Sequence, residues 1–350
     1  MINYLLQHAL KIASAGVIVL TFLAYLTPYV NPALFRYLTF FGTAFPWFLL
    51  ANIALLLVWG ARLHRFALYH LGILIFGWQH VTAFIGLNVG QDKAPENAIT
   101  VVTHNLGGIF RGIHLSDEEW SGIYTNYVRF LQDNGQPDVL CLQETGLKFA
   151  KSLAQKMGYP HLLDLDRGGT ALLSRYPILR GGQVPFGQPE NNSVWADLKI
   201  GARTVRVYNV HLQSNKVTGD TEKVMEDHDL QDRQTWREIR HVLRKVGGAT
   251  SVRAGQAVKL RELVAASPYP VLLCGDFNDT PNSFVYDRLA EGLTDTFREK
   301  GFGFGTTFAG ALPFLRIDYI LADPTLVPYS CRVLRGSASD HHAVLARVGF

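Results

Sequence analysis

The first 90 residues contain no aspartate or glutamate. Lys11, Arg36, Arg62 and Arg65 are the only Lys or Arg there. Between them lie three apolar stretches, residues 12–30, 37–59 and 66–89. Each reaches the roughly 20 residues a helix needs to cross hydrocarbon. Short polar breaks at 31–36 and 60–65 separate them. Three consecutive helices apolar all round would need a partner layer in a soluble core, and the rest of the chain has its own fold to build. The chain therefore reads as a three-helix transmembrane region over 1–90, a polar linker over 91–98 containing Pro95, and one domain over 99–350.

That division changes the meaning of the net charge of +4. Removing four cations from 33 Lys+Arg leaves 29 against 29 Asp+Glu, so the rest is neutral. The basic excess is an orientation signal rather than a nucleic-acid footprint. Lys11, the N-terminal amine, Arg62 and Arg65 share one side; the 31–36 break holds only Arg36. The positive-inside rule puts that side in the cytoplasm and, after three crossings, the C-terminal domain outside. The expected location is thus a multi-pass membrane protein with an extracytoplasmic domain. A cleaved signal peptide fits poorly, because Ala13-Ser14-Ala15 precedes the apolar run instead of following it. His70, Gln79 and His80 in the third stretch read as hydrogen-bonding groups between helices or near an interface, not as a proton path.

Past the linker, short apolar or alternating runs at 99–102, 138–142, 170–173, 194–200, 205–210, 271–274, 317–321 and 343–348 read as strands. Helical patterns fall near 117–132 with Ser116 as cap, 147–157, 230–246 and 252–266. The Gly201-Ala202-Arg203 turn implies antiparallel pairing of its two strands. The expected fold is α/β: a four-layer α/β/β/α sandwich, with two mixed sheets face to face and helices outside. Cys141, Cys274 and Cys331 read as small buried hydrophobes, with no C-x-x-C among them.

Function is carried by the polar residues that interrupt these runs. Val101-Val102-Thr103-His104-Asn105 ends in an amide and Cys141-Leu142-Gln143-Glu144 in a carboxylate. Asn209 and His211 lie two apart on one side of a strand. Gly275-Asp276-Phe277-Asn278 ends another run, Asp318 sits inside an apolar strand, and Ser339-Asp340-His341-His342 precedes the last one. Any one of these is ordinary. Six at the same kind of position can share one pocket. Carboxylate and amide oxygens with few histidines suit Mg²⁺, or Mn²⁺, better than zinc. With an Asp-paired His to activate water, the set suits phosphoester hydrolysis. Neither a G-x-S-x-G elbow nor a Walker A pattern occurs.

The order Asn105, Gln143-Glu144, Gly169-Thr170-Ala171, Asn209-x-His211, Gly275-Asp276-Phe277-Asn278, Ile317-Asp318-Tyr319 and Ser339-Asp340-His341 resembles the endonuclease/exonuclease/phosphatase superfamily. That superfamily includes type I deoxyribonucleases, AP endonucleases, neutral sphingomyelinases and inositol-polyphosphate 5-phosphatases. The resemblance spans about residues 98–350. It implies Glu144 as principal metal ligand, with Asn105 beside it. His341 is implied as general base, oriented by Asp318, and Asp276 as the group that aligns the nucleophile. It further implies that Asn278 and His211 bind the scissile phosphate, that Asn209 supports that site, and that Asp340 holds metal-bound water or a second metal. His342 lies outside the motif.

The motifs do not name the substrate. Asn278 is followed by Asp279-Thr280-Pro281, not the Asn-Tyr-Arg continuation of the inositol 5-phosphatases. The mid-chain tyrosine of AP endonucleases has no match at Gly168-Gly169-Thr170. A nuclease needs a cationic groove. Arg233, Arg237, Arg240, Arg244, Lys245, Arg253, Lys259 and Arg261 do cluster, but Glu222, Glu226, Asp227, Asp232 and Glu238 accompany them. That segment reads as a salt-bridged amphipathic insert, or else as a basic surface held against anionic headgroups, where each cation adds on the order of 1 kcal/mol. Three membrane spans would concentrate a lipid substrate near the pocket. The leading expectation is therefore a Mg²⁺-dependent phosphodiesterase of phospholipid or sphingolipid headgroups, sphingomyelinase-like, whose partners are the lipid membrane and its phosphodiester substrate. The alternatives are a membrane-tethered nuclease and a catalytically idle scaffold. No protein partner is expected.

Overall fold

The structure is a computed structural model and describes residues 2–90, 92–107, 116–164, 169–186, 193–215, 233–310 and 313–350. Two six-stranded sheets pack face to face. The first has the order β13-β14-β2-β3-β5-β4, from Val327–Leu334, Ala343–Gly349, Ile99–Asn105, Val139–Gln143, Thr170–Ser174 and His161–Asp164. The second runs β10-β12-β9-β8-β7-β6, from Thr294–Asp295, Asp318–Ala322, Val271–Asp276, Arg203–His211, Val194–Ile200 and Ile178–Gln183. Both are mixed, and each has one parallel pair: β2 with β3, and β8 with β9. Parallel neighbours need a crossover. Here these are helices α5 (Asp117–Asp133) and α7 (Arg233–Ala265). The Gly201-Ala202 turn joins β7 to β8 antiparallel, with Ile200 opposite Arg203 and Gly201 at φ +57°.

Side-chain alternation along the strands separates three cores. Val101, Cys141, Val207, Cys274, Ile320 and Val344 meet between the sheets. Val102, Leu140 and Leu142 face α5 and α6 (Leu147–Met157). Tyr208, Val210 and Leu273 face α7 and α8 (Phe284–Ala290). The layers are therefore helix, sheet, sheet, helix. All three cysteines are free and buried. Ser116 caps α5 in a capping box with Glu119. The helices expected at 230–246 and 252–266 are one element, α7, with Gly247-Gly248 inside it. Residues 230–232 lie outside those described, as do Glu222, Glu226, Asp227, Asp232 and Gly168.

The N-terminal region departs from three clean spans. Helix α1 (Ile2–Leu26) overlaps Tyr4–Tyr29, which among the described residues is the one stretch long and apolar enough by itself to cross a membrane. The second stretch is broken at Ala44: Pro32–Thr43 and α2 (Phe45–Ala61) qualify only together, across a 46° bend. The third splits at Gly77 into α3 (Phe66–Phe76) and α4 (Trp78–Phe84). The break has a packing cause. A Cβ at residue 77 would run into the Tyr25 ring, and the Tyr25 hydroxyl donates to Ile73 O at 3.0 Å. Beyond α4, strand β1 (Gly86–Leu87) pairs with β11 (Phe302–Gly303) of the C-terminal region. The helices share buried hydrogen bonds, from Asn52 to Thr21 (2.7 Å), His70 to Asn52 (2.8 Å) and Trp59 to Ser14 (2.8 Å). Gln79 donates to the Tyr29 hydroxyl.

Candidate active site

The two parallel pairs end at the same place. Asn105 and Gln143 close β2 and β3 in register, and His211 and Asp276 close β8 and β9 in register. Strand β12 runs antiparallel to β9 and sets Asp318 opposite Asp276. The chain must turn sharply after these ends. Glu144 and Asn278 take left-handed conformations, φ +52° and +53°, which cost a non-glycine residue free energy and cluster at functional sites. Gly275 is at φ +138°, and a Cβ there would strike the Val210 backbone of the adjoining strand.

Asn105 links the two sheets by donating from Nδ2 to Asp276 Oδ2 at 2.9 Å and Glu144 Oε1 at 3.3 Å. His211 Nε2 lies 3.6 Å from Glu144 Oε1 and 3.8 Å from Asp276 Oδ2. Asn278 donates from its backbone to Asp276 Oδ1 at 2.7 Å and from Nδ2 to Asp276 Oδ2 at 3.0 Å. His341 Nδ1–H donates to Asp318 Oδ2 at 3.0 Å, which leaves Nε2 as the nitrogen available to a proton. Ligand atoms of Asp276, Asp318 and His341 all fall within 4.8 Å of one another. Asp276, Asp318, His211 and His341 are buried.

This crowding sets the electrostatics. Burial, together with the Asp318 carboxylate, pushes Asp276 up to about 6 against the pull of His341 and His211. Burial opposes the charged form of His341, but Asp318, Asp276 and Asp340 outweigh it and raise its pKa to about 10. Among the described residues, Asp276 and Asp318 have no Lys or Arg partner. Buried carboxylates whose only cationic partners among the described residues are imidazoles, beside the Asn105 amide and Glu144 just past the end of β3, make an oxygen-rich donor set. It fits a hard divalent cation.

Two expected site residues lie at the margins of this cluster. Asn209 is fully buried and spends its amide inside the sandwich. It donates to Leu142 O and Ala171 O at 2.9 and 2.8 Å and accepts from Gln143 Nε2 at 2.6 Å, so it fastens β3, β5 and β8 together beneath the pocket. Asp340 is exposed at the rim, beside Gly107.

Supporting groups escaped the sequence reading. Ser339 Oγ donates to Asn105 O at 2.7 Å and accepts from His341 N at 3.0 Å. Thr307 Oγ1 accepts from the backbone of Ile317 and Asp318. His104 accepts from the Tyr127 hydroxyl and donates to His341 O at 3.1 Å. Arg253, read as part of a basic cluster, is instead buried and bound to Asp279 Oδ2 at 3.3 Å and Gln213 O at 2.8 Å. Only Ser339 carried a signal, its place in the Ser-Asp-His motif; the others are ordinary residues whose partners lie far away in sequence.

The loop after Asn278 also meets the N-terminal helices. Asn282 donates to Ala24 O at 2.9 Å and accepts from His80 Nδ1 at 2.7 Å. Arg316, two residues before Asp318, is buried against Asp295 (2.8 Å) and donates to Ala83 O at 2.6 Å. The Trp47 ring, in the first turn of α2, lies 6.2 Å from that of Phe314. The apolar helices therefore pack at the end of the sandwich that carries the pocket.

Fold and pocket together define a class. The chain belongs to the endonuclease/exonuclease/phosphatase family, whose model matches residues 102–341. It is a metal-dependent phosphoester hydrolase. A second family, described only as a domain of unknown function, matches residues 7–84. No curated protein matches the sequence. An endonuclease/exonuclease/phosphatase family protein from Bacteroides thetaiotaomicron superposes with TM-score 0.53 at 18% identity, over 72% of this chain and 97% of that one. A mannosyl-6-phosphatase from the same organism gives 0.51 at 19%, over 72% and 100%. D. rerio TDP2 complexed with single-strand DNA product gives 0.52 at 15%, over 72% and 99%. At these identities the likeness is one of fold.

Proposed function

We propose that this chain is a membrane-anchored, Mg²⁺-dependent phosphodiesterase that hydrolyses phospholipid or sphingolipid headgroups. The observation that carries the reading is the wiring of the catalytic loop to the apolar helices through Asn282, Ala24 and His80. It sets the pocket beside the ends of helices whose outward surface is greasy: Ile12, Val19, Leu57, Leu68 and Ile75 are all exposed. Little of α1 is buried, unlike a core helix of a soluble protein. The neutral charge of residues 91–350 favours a lipid or small phosphoester over a long polyanion.

In this reading residues 1–90 anchor the protein, 91–98 connect, and 99–350 catalyse. Segment 92–98 is itself tied down, since Asp92 pairs with Lys300 at 2.7 Å. The catalytic domain packs at Ala24, Pro32 and Ala83, the helix ends opposite Arg62 and Arg65. With those cations in the cytoplasm, the pocket is extracytoplasmic.

Glu144 and Asn105, with Asp340 at the rim, would hold the cation. When bound it would supply positive charge to offset that of the phosphoryl oxygens and to lower the proton affinity of His341. His341 Nε2 then takes the proton of the attacking water, while Asp318 fixes the ring through Nδ1. Asp276 aligns that water. His211 and Asn278 contact the phosphate, and Asn209 supports the site by locking the strands that carry His211 and Glu144.

The test is a substrate panel with the purified full chain and Mg²⁺: phospholipid and sphingomyelin vesicles, plasmid DNA, RNA and a phosphomonoester. The reading expects headgroup release from vesicles, abolished by EDTA. Cleavage of DNA or RNA with intact vesicles would replace it with a tethered nuclease. Silence on every substrate would leave the idle scaffold.

A further inference from the structure

Helix α7 carries a pattern that the hydrolytic pocket does not use. Residues 233–245 contain Arg233, Arg237, Arg240, Arg244 and Lys245 against Glu238 alone. Among the described positions of this half, those exposed are Trp236, Arg237, Arg240, His241 and Arg244, and no carboxylate is among them. A helix surface facing water normally mixes signs to form ion pairs along itself. This one sets a tryptophan among arginines instead, the composition of a helix lying at a lipid headgroup boundary.

The direction of that surface follows from its spacing. Trp236, Arg240, Arg244, Gly247 and Ser251 recur at intervals of four or three and so line one helix face. At its C-terminal end this face touches the turn between α1 and α2. The aliphatic stem of Arg36 lies against Gly247, and Ser251 Oγ donates to Pro32 O at 3.2 Å. Glycine is what permits the close approach, which explains why it stands inside a helix. From Gly247 the same face continues N-terminally for ~17 Å to Trp236, at about 1.5 Å per residue. Leu34, Phe35 and Tyr37 of the turn are exposed, and the Arg36 guanidinium sits 5.5 Å from the Tyr37 ring centre. A cavity of about 440 Å³ lies between the turn and Ser251, lined by Pro32, Leu34, Phe35, Arg36 and Tyr37 among others.

We propose that the Trp236–Arg240–Arg244 face of α7, together with Arg36, rests on the anionic headgroup surface of the bilayer that holds the apolar helices. The inference depends on the membrane reading above and adds a docking surface to it. Its occupant is a phospholipid surface bearing negative charge, chosen by three features: a face with no carboxylate among its described exposed side chains, a tryptophan exposed among arginines, and continuity with the turn at the ends of the apolar helices. The other half of α7 holds Asp279 through Arg253, so the docked helix also fixes the tilt of the catalytic loop.

The experiment uses the full chain in nanodiscs of phosphatidylcholine, with or without phosphatidylglycerol. Nitroxide labels are placed at Val19→Cys and, separately, Trp236→Cys; the native cysteines are buried. Collision with oxygen, relative to a water-soluble nickel chelate, reports lipid contact. The label at residue 19 is expected to report lipid in both discs. The label at residue 236 is expected to gain about threefold in that ratio when phosphatidylglycerol is present, and to lose the gain at about 1 M NaCl, where charges are screened beyond roughly 3 Å. The charge reversal Arg240→Glu with Arg244→Glu is expected to abolish it too. Lipid contact at residue 19 with residue 236 in water in both discs would overturn the docking surface alone, as would a gain that survives the charge reversal. Water contact at residue 19 would overturn the membrane reading and the docking surface with it.

Discussion

At the scale of the residue, His341 is the most exposed to test. Its ring is held by Asp318 through one nitrogen and its backbone by Ser339. Replacing it with alanine should lower kcat by roughly 10²–10⁴-fold, the usual worth of a general base, with little change in KM. Steady-state kinetics on the preferred phosphodiester check this. Asp318→Asn should lower kcat too, because the amide cannot stabilise the imidazolium that forms. His104 supplies a pH dependence of a different kind. Burial lowers its pKa to about 3, so it stays neutral in the folded protein while the unfolded chain takes up a proton below about 6.5. Stability should therefore fall as pH drops through that window, by up to about 1.4 kcal/mol per unit. Melting curves from pH 7 to 4 should show the fall, and His104→Gln should flatten it.

At the scale of the element, the parallel pairs matter most. Each sheet uses one crossover to bring two strands to a common end, and the facing pairs deliver Asn105, Glu144, His211 and Asp276 to one pocket. Gly275 allows this by lying against the Val210 backbone. Gly275→Ala combines a positive φ with a backbone clash and should destabilise by well over the about 1 kcal/mol of an ordinary glycine replacement. Circular dichroism and yield of folded protein report it. The strands that end in functional groups were legible in the sequence because a polar residue abruptly stops an apolar run. Strands β4, β6 and β13 were not, since all three are sheet edges. Their partly exposed residues, Gly181-Gly182 in β6 and a bulge at Pro328 in β13 blur any alternation. The helices expected at 230–246 and 252–266 join into α7: the sequence shows the missing side chains of Gly247-Gly248 but not the Arg36 stem packed against Gly247.

At the scale of the whole molecule, the joint between helices and sandwich is the feature no local pattern could show. Hydropathy locates the third apolar stretch but is blind to Tyr25 occupying the space beside Gly77. It also gives no hint that His80 reaches Asn282, 202 residues away. Asn282→Ala leaves Ala24 O and the His80 ring without that partner in a buried place. Unsatisfied groups of this kind cost about 1–3 kcal/mol each, so the variant should melt lower and lose activity on vesicles. Thermal denaturation in nanodiscs measures the first effect. For topology, an impermeant maleimide added from outside intact cells should label Arg298→Cys on the catalytic domain and spare Leu63→Cys at the far turn. The reverse pattern would turn the protein over.

The most direct test of the central claim is release of water-soluble headgroup from vesicles by the full chain in Mg²⁺, compared with Glu144→Ala. The account predicts release by the wild type, loss on adding EDTA, and a reduction of at least about 10²-fold in the variant. Vesicles left intact under conditions where the same preparation cuts DNA, or release that survives EDTA and the loss of Glu144, would contradict it.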